Sequence, residues 1–321
     1  MNQGELAAGA LAAEDVRPTR AFRLLRRLLH RPVAVIAILV IITIYSAGVL
    51  APLIAPYEFD KTDLHNTFAA PSSEHFLGTD RLGRDVLSRL MWSAQTTVII
   101  SALTTVSGGL ILGVSFGLMS GYYGGRVDSI IMRAGDALQS VPTILLLIII
   151  NATLKDRVRD LFGNIESSSG IGGLVRSGAP EIFLLSVGLS IFSWVGMARL
   201  VRSQVLSLCE SGFVAAARAM GASGSRIILR HLLPNITNLM VVTITLSLGV
   251  VAYSEIGLTF LGVGVQDHAS FGVMISQYAG PTSIRAHPLL IIAPVVVIAS
   301  LLLSFNLLGD ALTDILSPRR R

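Results

Sequence analysis

The chain has 321 residues, of which 52% are hydrophobic and only 14% are charged. Soluble domains carry about 25% charged residues, so this composition excludes an ordinary water-facing globular surface. The net charge of +5 is due to arginine, since Lys61 and Lys155 are the only lysines, and the arginines lie beside apolar runs, which favours a membrane over nucleic acid as the partner.

The N-terminal stretch, residues 1–31, is a polar and basic tail that contains six arginines. Between Ala21 and Leu29 apolar side chains lie among arginines, a pattern typical of an amphipathic helix on an anionic membrane surface. The tail is too long, and the apolar run after it too extended, for a cleaved signal peptide. We therefore predict a cytoplasmic tail followed by an uncleaved first membrane helix.

Six apolar segments are long enough, or nearly so, to cross a hydrocarbon core of roughly 30 Å as helices. The third begins earlier than its charge-free part, near residue 127. The segments cover residues 33–54, 92–125, 137–154, 182–198, 232–254 and 288–309. The sequence thus predicts an all-α membrane protein with six transmembrane helices: a first helix and outer segment over 32–95, a five-helix core over 96–311 and a C-terminal tail over 312–321.

The basic residues predict the orientation of these helices. With both termini inside, 16 of the 25 lysines and arginines lie on the cytoplasmic side, in the two tails and in the loops after the second and fourth helices. Positive charges favour that side of a membrane. We therefore expect a multi-pass protein of the bacterial plasma membrane with its N- and C-termini in the cytoplasm.

The second predicted helix carries a row of glycines. Gly109, Gly113, Gly117 and Gly121 are four residues apart and so lie on one helical face. Glycine allows another backbone to approach closely, which is how helices associate in lipid. This row predicts a tight helix interface, either a static contact or one that shifts.

The segment Gly212 to Asn235 lies in the predicted cytoplasmic loop 199–235 and has the sequence G-F-V-A-A-A-R-A-M-G-A-S-G-S-R-I-I-L-R-H-L-L-P-N. Its alanines favour a short helix, and Gly221 can adopt the left-handed conformation that ends one. Ser223 or Ser225 can cap a second short helix. The pattern predicts a helix–turn–helix, which on composition alone is equally typical of an ordinary amphipathic connector.

The spacing in this segment resembles the EAA motif of ABC importer permeases, E-A-A-x3-G-x9-I-x-L-P. Ala215 stands where the motif has Glu, and His231 takes the apolar position. The remaining motif positions fall on Ala216, Ala217, Gly221, Leu233 and Pro234. The resemblance implies that these seven residues form a cytoplasmic coupling helix that docks on an ATP-binding subunit.

Three further stretches are similar to the same family. H-F-L-G-T-D-R-L-G-R-D-V-L-S-R follows Glu74, L-T-F-L-G-V-G-V-Q-D-H-A-S-F-G begins at Leu258, and N-L-L-G-D-A-L-T-D-I-L-S-P-R begins at Asn306. They resemble permeases for dipeptides, oligopeptides, nickel and glutathione, in particular the second of the two paired permeases. The polar stretch 156–178, expected as an outer loop, has no counterpart in the family pattern.

The resemblance implies a type I ABC importer permease (MetI-like) architecture and a set of partners. These are a homologous second permease forming a heterodimer, two ABC ATPase subunits, an extracytoplasmic substrate-binding protein and membrane lipid. Neither lysine follows a glycine, so the chain has no Walker A loop. We expect ATP and Mg to bind on the ATPase subunits and no cofactor to bind on this chain.

An ion-coupled secondary transporter is the alternative of another class, because ionisable groups inside a bilayer are costly and mark function. Asp136 and Glu255 are the candidate polar residues of a translocation path, with Arg133 placed to pair with Asp136 and Glu255 at the end of its helix. No metalloprotease or hydrolase motif occurs, which argues against an enzyme.

The substrate is predicted to be a dipeptide or oligopeptide, with nickel or glutathione as alternatives within the family. A nickel site would need a cluster of His, Met or carboxylate ligands, and the predicted helices have none. The single cysteine, Cys209, also excludes a multi-cysteine metal site.

Overall fold

The computed structural model describes residues 26–170 and 172–316, which are helical apart from turns, loops and one isolated β-bridge between Thr79 and Asp85. Most of the predicted amphipathic tail helix, and Arg319 to Arg321, lie outside the described residues. Residues 26–29 are helical.

The first half of the described chain contains six α-helices and a first π-helical segment. The helices are α1 (Pro32–Val49), α2 (Ala51–Ile54), α3 (Val86–Thr104), α4 (Ser115–Tyr123), α5 (Gly125–Gln139) and α6 (Thr143–Ser169), and the first π segment (Thr105–Val114) joins α3 to α4.

The second half continues with seven α-helices and a second π segment. They are α7 (Ala179–Cys209), α8 (Gly212–Ala219), α9 (Gly224–Ile227), α10 (Leu233–Phe260), α11 (Phe271–Tyr278), α12 (Pro281–Ala286) and α13 (Leu289–Leu316), with the second π segment (Ile228–Leu232) between α9 and α10.

The prediction of a helical membrane protein with six spans is confirmed. Five helices are long and apolar enough to cross a membrane, and the pair α5 and α6, bent by 81°, makes a sixth span if it is counted as one. The predicted third span, beginning near residue 127, starts close to the observed Gly125, but it is broken between Gln139 and Thr143 and continues beyond residue 154 to Ser169. Pro142 explains the bend, because proline disfavours the helical conformation of the residue before it, here Val141.

The prediction of an outer loop over 156–178 is also wrong. Helix α6 continues through the polar stretch to Ser169 and ends at Gly170, which has a φ of +69°. The Glu166 carboxylate accepts backbone hydrogen bonds from Gly173 (2.7 Å) and Val175 (3.0 Å), which fixes the following turn. Polar residues in α6 are compatible with a helix because nearly all of its side chains are at least partly exposed.

Helix α7 lies at the centre of the fold and packs on the continuous helix formed by α3, the first π segment and α4. A Cβ atom added to any of three glycines of that helix would lie 2.6–2.7 Å from a Cβ of α7, so only glycine permits this approach. The contacts pair Gly113 with Met197, Gly117 with Val201, and Gly121 with Val205.

The glycines that contact α7, here called the glycine seam, begin at Gly108 rather than Gly109 because of the first π segment. In a π-helix the hydrogen bonds join residues five apart, so facing residues are spaced by five rather than four. Gly108, five before Gly113, lies against α7, where an added Cβ would be 2.8 Å from the Ser190 carbonyl oxygen. At Gly109 it would contact only Thr105, at 4.0 Å. The predicted packing role of Gly109 is therefore wrong.

The segment between α2 and α3 is joined to the helices by a buried ionic cluster. Asp80 accepts hydrogen bonds from Arg84, just before α3, and from Arg89 in the first turn of α3, each at 2.7 Å. Both guanidinium groups also donate to the Gln277 side chain of α11 at 3.3 Å. Asp80 and Arg89 are 1% and 3% exposed, so the cluster fixes this end of α3 to α11.

Candidate functional site

The helix–turn–helix element, defined as residues 212–233, comprises α8, α9 and the second π segment between α7 and α10. The turn after α8 has two hydrogen bonds that end a helix at a left-handed residue: Ala222 N–H donates to Ala217 (3.0 Å) and Gly221 N–H donates to Arg218 (2.9 Å). Gly221 has a φ of +78°, the left-handed conformation that the sequence indicates. Ser223 occupies the N-cap position of α9, but its side chain makes no capping hydrogen bond.

Buried apolar side chains fix this element to the long helices. The four anchoring residues are at most 2% exposed and belong to one cluster with Val201 and Val205 of α7 and Ile236 of α10. The anchors are Val214, Ala217, Ile227 and Leu232. Since the cluster includes side chains from both flanking helices, the element is packed directly onto α7 and α10.

The exposed surface of the element carries small and apolar residues together with three arginines, Arg218, Arg226 and Arg230. Ala215 and Ala216 are exposed on α8, and Met220 at the turn is 81% exposed. Leu229 is 61% exposed in the second π segment. Exposed apolar side chains around a slender alanine surface are typical of a protein–protein contact.

The remaining motif residues lie at the end of the element. The His231 ring is 6.4 Å from the Phe213 ring, centroid to centroid. Leu233 is partly buried, and Pro234 is exposed in the first turn of α10, where its missing N–H costs no helical hydrogen bond. The structure therefore brings the motif residues up to Leu233 onto one element, with Pro234 directly after it in α10 and only Ala217 among the buried anchors.

One arginine of the element packs on α4, and another arginine, in α7, pairs with α5. The Arg218 guanidinium lies 5.3 Å from the centroid of the Tyr122 ring, and Tyr122 also packs against Gly224. Arg202 of α7 makes a two-pronged ion pair with Asp128 of α5, at 2.5 and 2.6 Å. Such bidentate pairs are geometrically specific, so the ends of α5 and α7 that carry Asp128 and Arg202 have a fixed relative position.

The two predicted polar residues of a translocation path do not lie together. Asp136 has a side chain that is 64% exposed, and it pairs with Arg199 of α7 at 2.6 Å. The predicted partner, Arg133, makes no such pair; α5 packs along α7, which brings the Arg199 guanidinium to Asp136 instead. This ion pair lies on the surface of the described chain.

Glu255 is fully buried and joins α10 to α3. Its carboxylate accepts hydrogen bonds from Thr97 of α3 (2.8 Å) and from Thr259 one turn later (3.2 Å). Helix α10 continues to Phe260, so the prediction that Glu255 ends its helix is wrong. Within residues 26–170 and 172–316, no lysine, arginine or histidine pairs with it.

Sequence reasoning missed the ionic cluster of Asp80, Arg84, Arg89 and Gln277, because the arginines were assigned to an exposed outer segment. The signal available was the D-R-L-G-R-D run, which places Asp80 four residues before Arg84. In the described part of the chain, no three His, Cys, Asp or Glu side chains are grouped so that they could hold a metal ion.

Two protein-family models together match most of the chain. A family model described as "Binding-protein-dependent transport system inner membrane component" matches residues 113–321. A second model, "N-terminal TM domain of oligopeptide transport permease C", matches residues 21–71.

Curated relatives cover nearly the whole chain. The oligopeptide transport system permease protein OppC of Bacillus subtilis is 32% identical over 90% of this chain and 86% of its own. The dipeptide transport system permease protein DppC of the same organism is 32% identical over 92% and 85%. The glutathione transport system permease protein GsiD of Pectobacterium atrosepticum is 33% identical over 92% and 89%.

These matches extend over both halves of the fold, from the tail before α1 to the C-terminus, and include the helix–turn–helix element. A binding-protein-dependent system implies ABC partner subunits and a binding protein. The chain belongs to the family of binding-protein-dependent transport inner-membrane components, and it is the multi-pass, non-catalytic permease of an ABC importer.

Proposed function

We propose that this permease imports dipeptides or oligopeptides and forms a heterodimer with a homologous permease. Two ATPase subunits, which bind ATP and Mg, dock on the helix–turn–helix elements, and an extracytoplasmic binding protein delivers the substrate. The relatives named for oligopeptides, dipeptides and glutathione support a peptide substrate, since all three kinds of molecule carry amide bonds and carboxylates.

The observation that carries the proposal is the way the helix–turn–helix element is attached. Val214 and Ile227 are fully buried against Val201 and Val205 of α7. A push on the exposed alanine face therefore displaces α7 and α10 together, because a close-packed core transmits movement rather than absorbing it. Because Ala215 replaces the motif Glu, this position offers packing rather than an ion pair, and the exposed cations of the element include Arg218, Arg226 and Arg230.

The positions of the chain ends support a cytoplasmic location for the element. Arg31, before α1, pairs with Asp314 near the end of α13 at 2.7 Å. Leu28, Val242 and Leu312 belong to one apolar cluster, which places the first part of α10 beside both chain ends. The ends of the described chain and the element thus lie at one end of the bundle, the end that the arginine distribution predicts for the cytoplasm.

A second candidate function is ion-coupled transport, which is favoured by the buried carboxylate of Glu255. A buried ionisable group without a charged partner is costly inside a membrane and often serves transport. Against this function, Thr97 and Thr259 already hydrogen-bond the carboxylate, and Asp136 lies far from a buried path.

The two functions are separated by measuring what drives uptake. The complex of both permeases, ATPases and binding protein is reconstituted in proteoliposomes, and uptake of a radiolabelled dipeptide and a tripeptide is followed. We expect uptake to require ATP and to persist when a protonophore and a sodium ionophore collapse the ion gradients. Uptake that is driven by a gradient without ATP would establish the carrier instead.

A further inference from the structure

The structure contains a cavity, here called the outer cavity, at the end of the bundle opposite the helix–turn–helix element. It has a volume of about 870 Å³ and lies between α2 with the segment after it, the middle and C-terminal part of α3, the polar part of α6, and the start of α7 with the segment before it. Cavities that hold small organic ligands have volumes of roughly 300–1,000 Å³. The outer cavity is large enough for a short peptide.

Aromatic side chains form two walls of the outer cavity. On one side the Phe59 ring lies 4.1 Å from the His268 ring and 5.9 Å from the Trp92 ring, between centroids. On the other, Phe162 and Phe183 have centroids 5.7 Å apart. Burial lowers the pKa of His268 below its ordinary value, which favours the neutral ring. These rings pack on one another and present preformed apolar surfaces.

One amide group in this lining has no partner in the described chain. Gln95 of α3 lines the cavity, yet its side chain makes no hydrogen bond within residues 26–170 and 172–316. The neighbouring polar groups are already paired: Trp92 donates to the Tyr57 carbonyl (3.3 Å) and Thr96 donates to the Ala269 carbonyl (2.8 Å). Gln95 therefore offers one acceptor and two donor hydrogens to whatever fills the cavity.

The rim of the cavity carries exposed ion pairs around Arg176. Arg176 lies 3.5 Å from Glu58 and 3.3 Å from Asp60, and the side chains of Arg176 and Glu58 are both 73% exposed. Exposed ion pairs contribute little stability and exchange readily. A ligand carboxylate can thus replace the acidic partners of Arg176, and a ligand ammonium can bind the released Glu58.

We infer that the outer cavity is a binding subsite for a short peptide. The peptide packs an apolar side chain against the aromatic walls, and its backbone amide hydrogen-bonds to the Gln95 side chain. An acyl chain would fill the apolar space but leave Gln95 unpaired, and a metal ion would find no ligand cluster here. The inference rests on the proposed function, because it specifies where this chain contacts the imported peptide.

Photo-cross-linking tests the subsite directly. The purified complex of both permeases and ATPases in nanodiscs is irradiated with the tripeptide alanyl-benzoylphenylalanyl-alanine, and cross-linked residues are identified by mass spectrometry. We expect cross-links to α3 and α7 residues of the outer cavity.

A substitution tests the role of the amide group. Gln95→Met keeps the side-chain volume but removes two hydrogen bonds, so the peptide concentration that gives half-maximal cross-linking, called the half-saturating concentration, should rise about tenfold.

The matched control is Gln139→Met, since Gln139 is exposed at the end of α5 and outside the cavity. The subsite would be overturned if Gln95→Met left the half-saturating peptide concentration unchanged or if the cross-links lay only outside the outer cavity. It would also be overturned if a phospholipid occupied the cavity and the peptide did not displace it. ATP-driven peptide uptake, measured in parallel with the binding protein, would then still support the proposed function. Its absence in the unaltered complex would refute both proposals.

Discussion

Gly221 has a backbone conformation that β-branched residues almost never adopt, and an added Cβ there would meet no atom within 4 Å. Gly221→Val should therefore disturb the backbone of the turn without a steric clash, and we expect ATP-driven uptake to fall at least tenfold. Insertion should persist, because the long helices are unaffected. Uptake is measured in proteoliposomes, and the amount of inserted protein is measured by immunoblotting.

The control for that substitution is Gly221→Asn, because asparagine tolerates the left-handed region far better than valine. This variant should retain most of the uptake. Full transport by a correctly inserted Gly221→Val variant would show that the turn does not transmit movement, and equal loss in both variants would indicate that side-chain bulk, not backbone conformation, is the cause.

Single residues also show the limits of sequence reasoning. The left-handed conformation of Gly221 was predictable, because alanines followed by glycine mark a helix end in the local sequence. The pairing of Asp136 with Arg199 was not, since these residues are 63 positions apart and meet only because α5 packs along α7. Likewise, the hydrogen bonds of Glu255 to Thr97 depend on contact between α3 and α10.

At the level of helices, Gly108 and Gly109 allow a direct test of the first π segment. In Gly108→Ala the new Cβ would lie 2.1 Å from the Ser193 hydroxyl oxygen and 2.8 Å from the Ser190 carbonyl oxygen, so α7 must shift. We expect a loss of roughly 1–3 kcal/mol of stability, as for other overpacked sites. Thermal unfolding of the purified complex in detergent measures the effect.

Gly109→Ala is the matched control in the same segment, because its Cβ would contact only Thr105 at 4.0 Å. Replacing this glycine should leave stability unchanged or raise it by about 0.5–1 kcal/mol, since alanine restricts the unfolded chain. If Gly109→Ala destabilised the complex and Gly108→Ala did not, the seam would follow the regular four-residue spacing and the π segment would be absent.

The existence of the helices was predictable, but their breaks and registers were not. A bilayer requires about 20 apolar residues for each span, and that requirement is visible in hydropathy alone. The bend before α6 had a local signal in Pro142, whereas the first π segment has none that distinguishes it from an α-helix. The extension of α6 to Ser169 was missed because polar residues were taken as a loop, although a helix leaving the membrane can carry them.

Across the molecule, three contacts connect the helix–turn–helix element to the outer end of the bundle. The element is buried against α7, α7 meets the first π segment and α4 along the glycine seam, and α3 is joined to α10 by Glu255. A displacement at the element therefore reaches α3, which carries Gln95 in the outer cavity. If the ATPases move the element as proposed, this continuity would carry the movement to the opposite end of the bundle.

That coupling requires the two ends of the bundle to face opposite sides of the membrane. In a Cys209→Ser background, single cysteines at the exposed positions Ser73, before α3, and Thr313, near the end of α13, report on each end. A membrane-impermeant maleimide added to intact cells should label Ser73→Cys at once and Thr313→Cys only after permeabilisation. Labelling of Thr313→Cys in intact cells would place the element outside, where no ATPase could reach it, and so would contradict the proposed function.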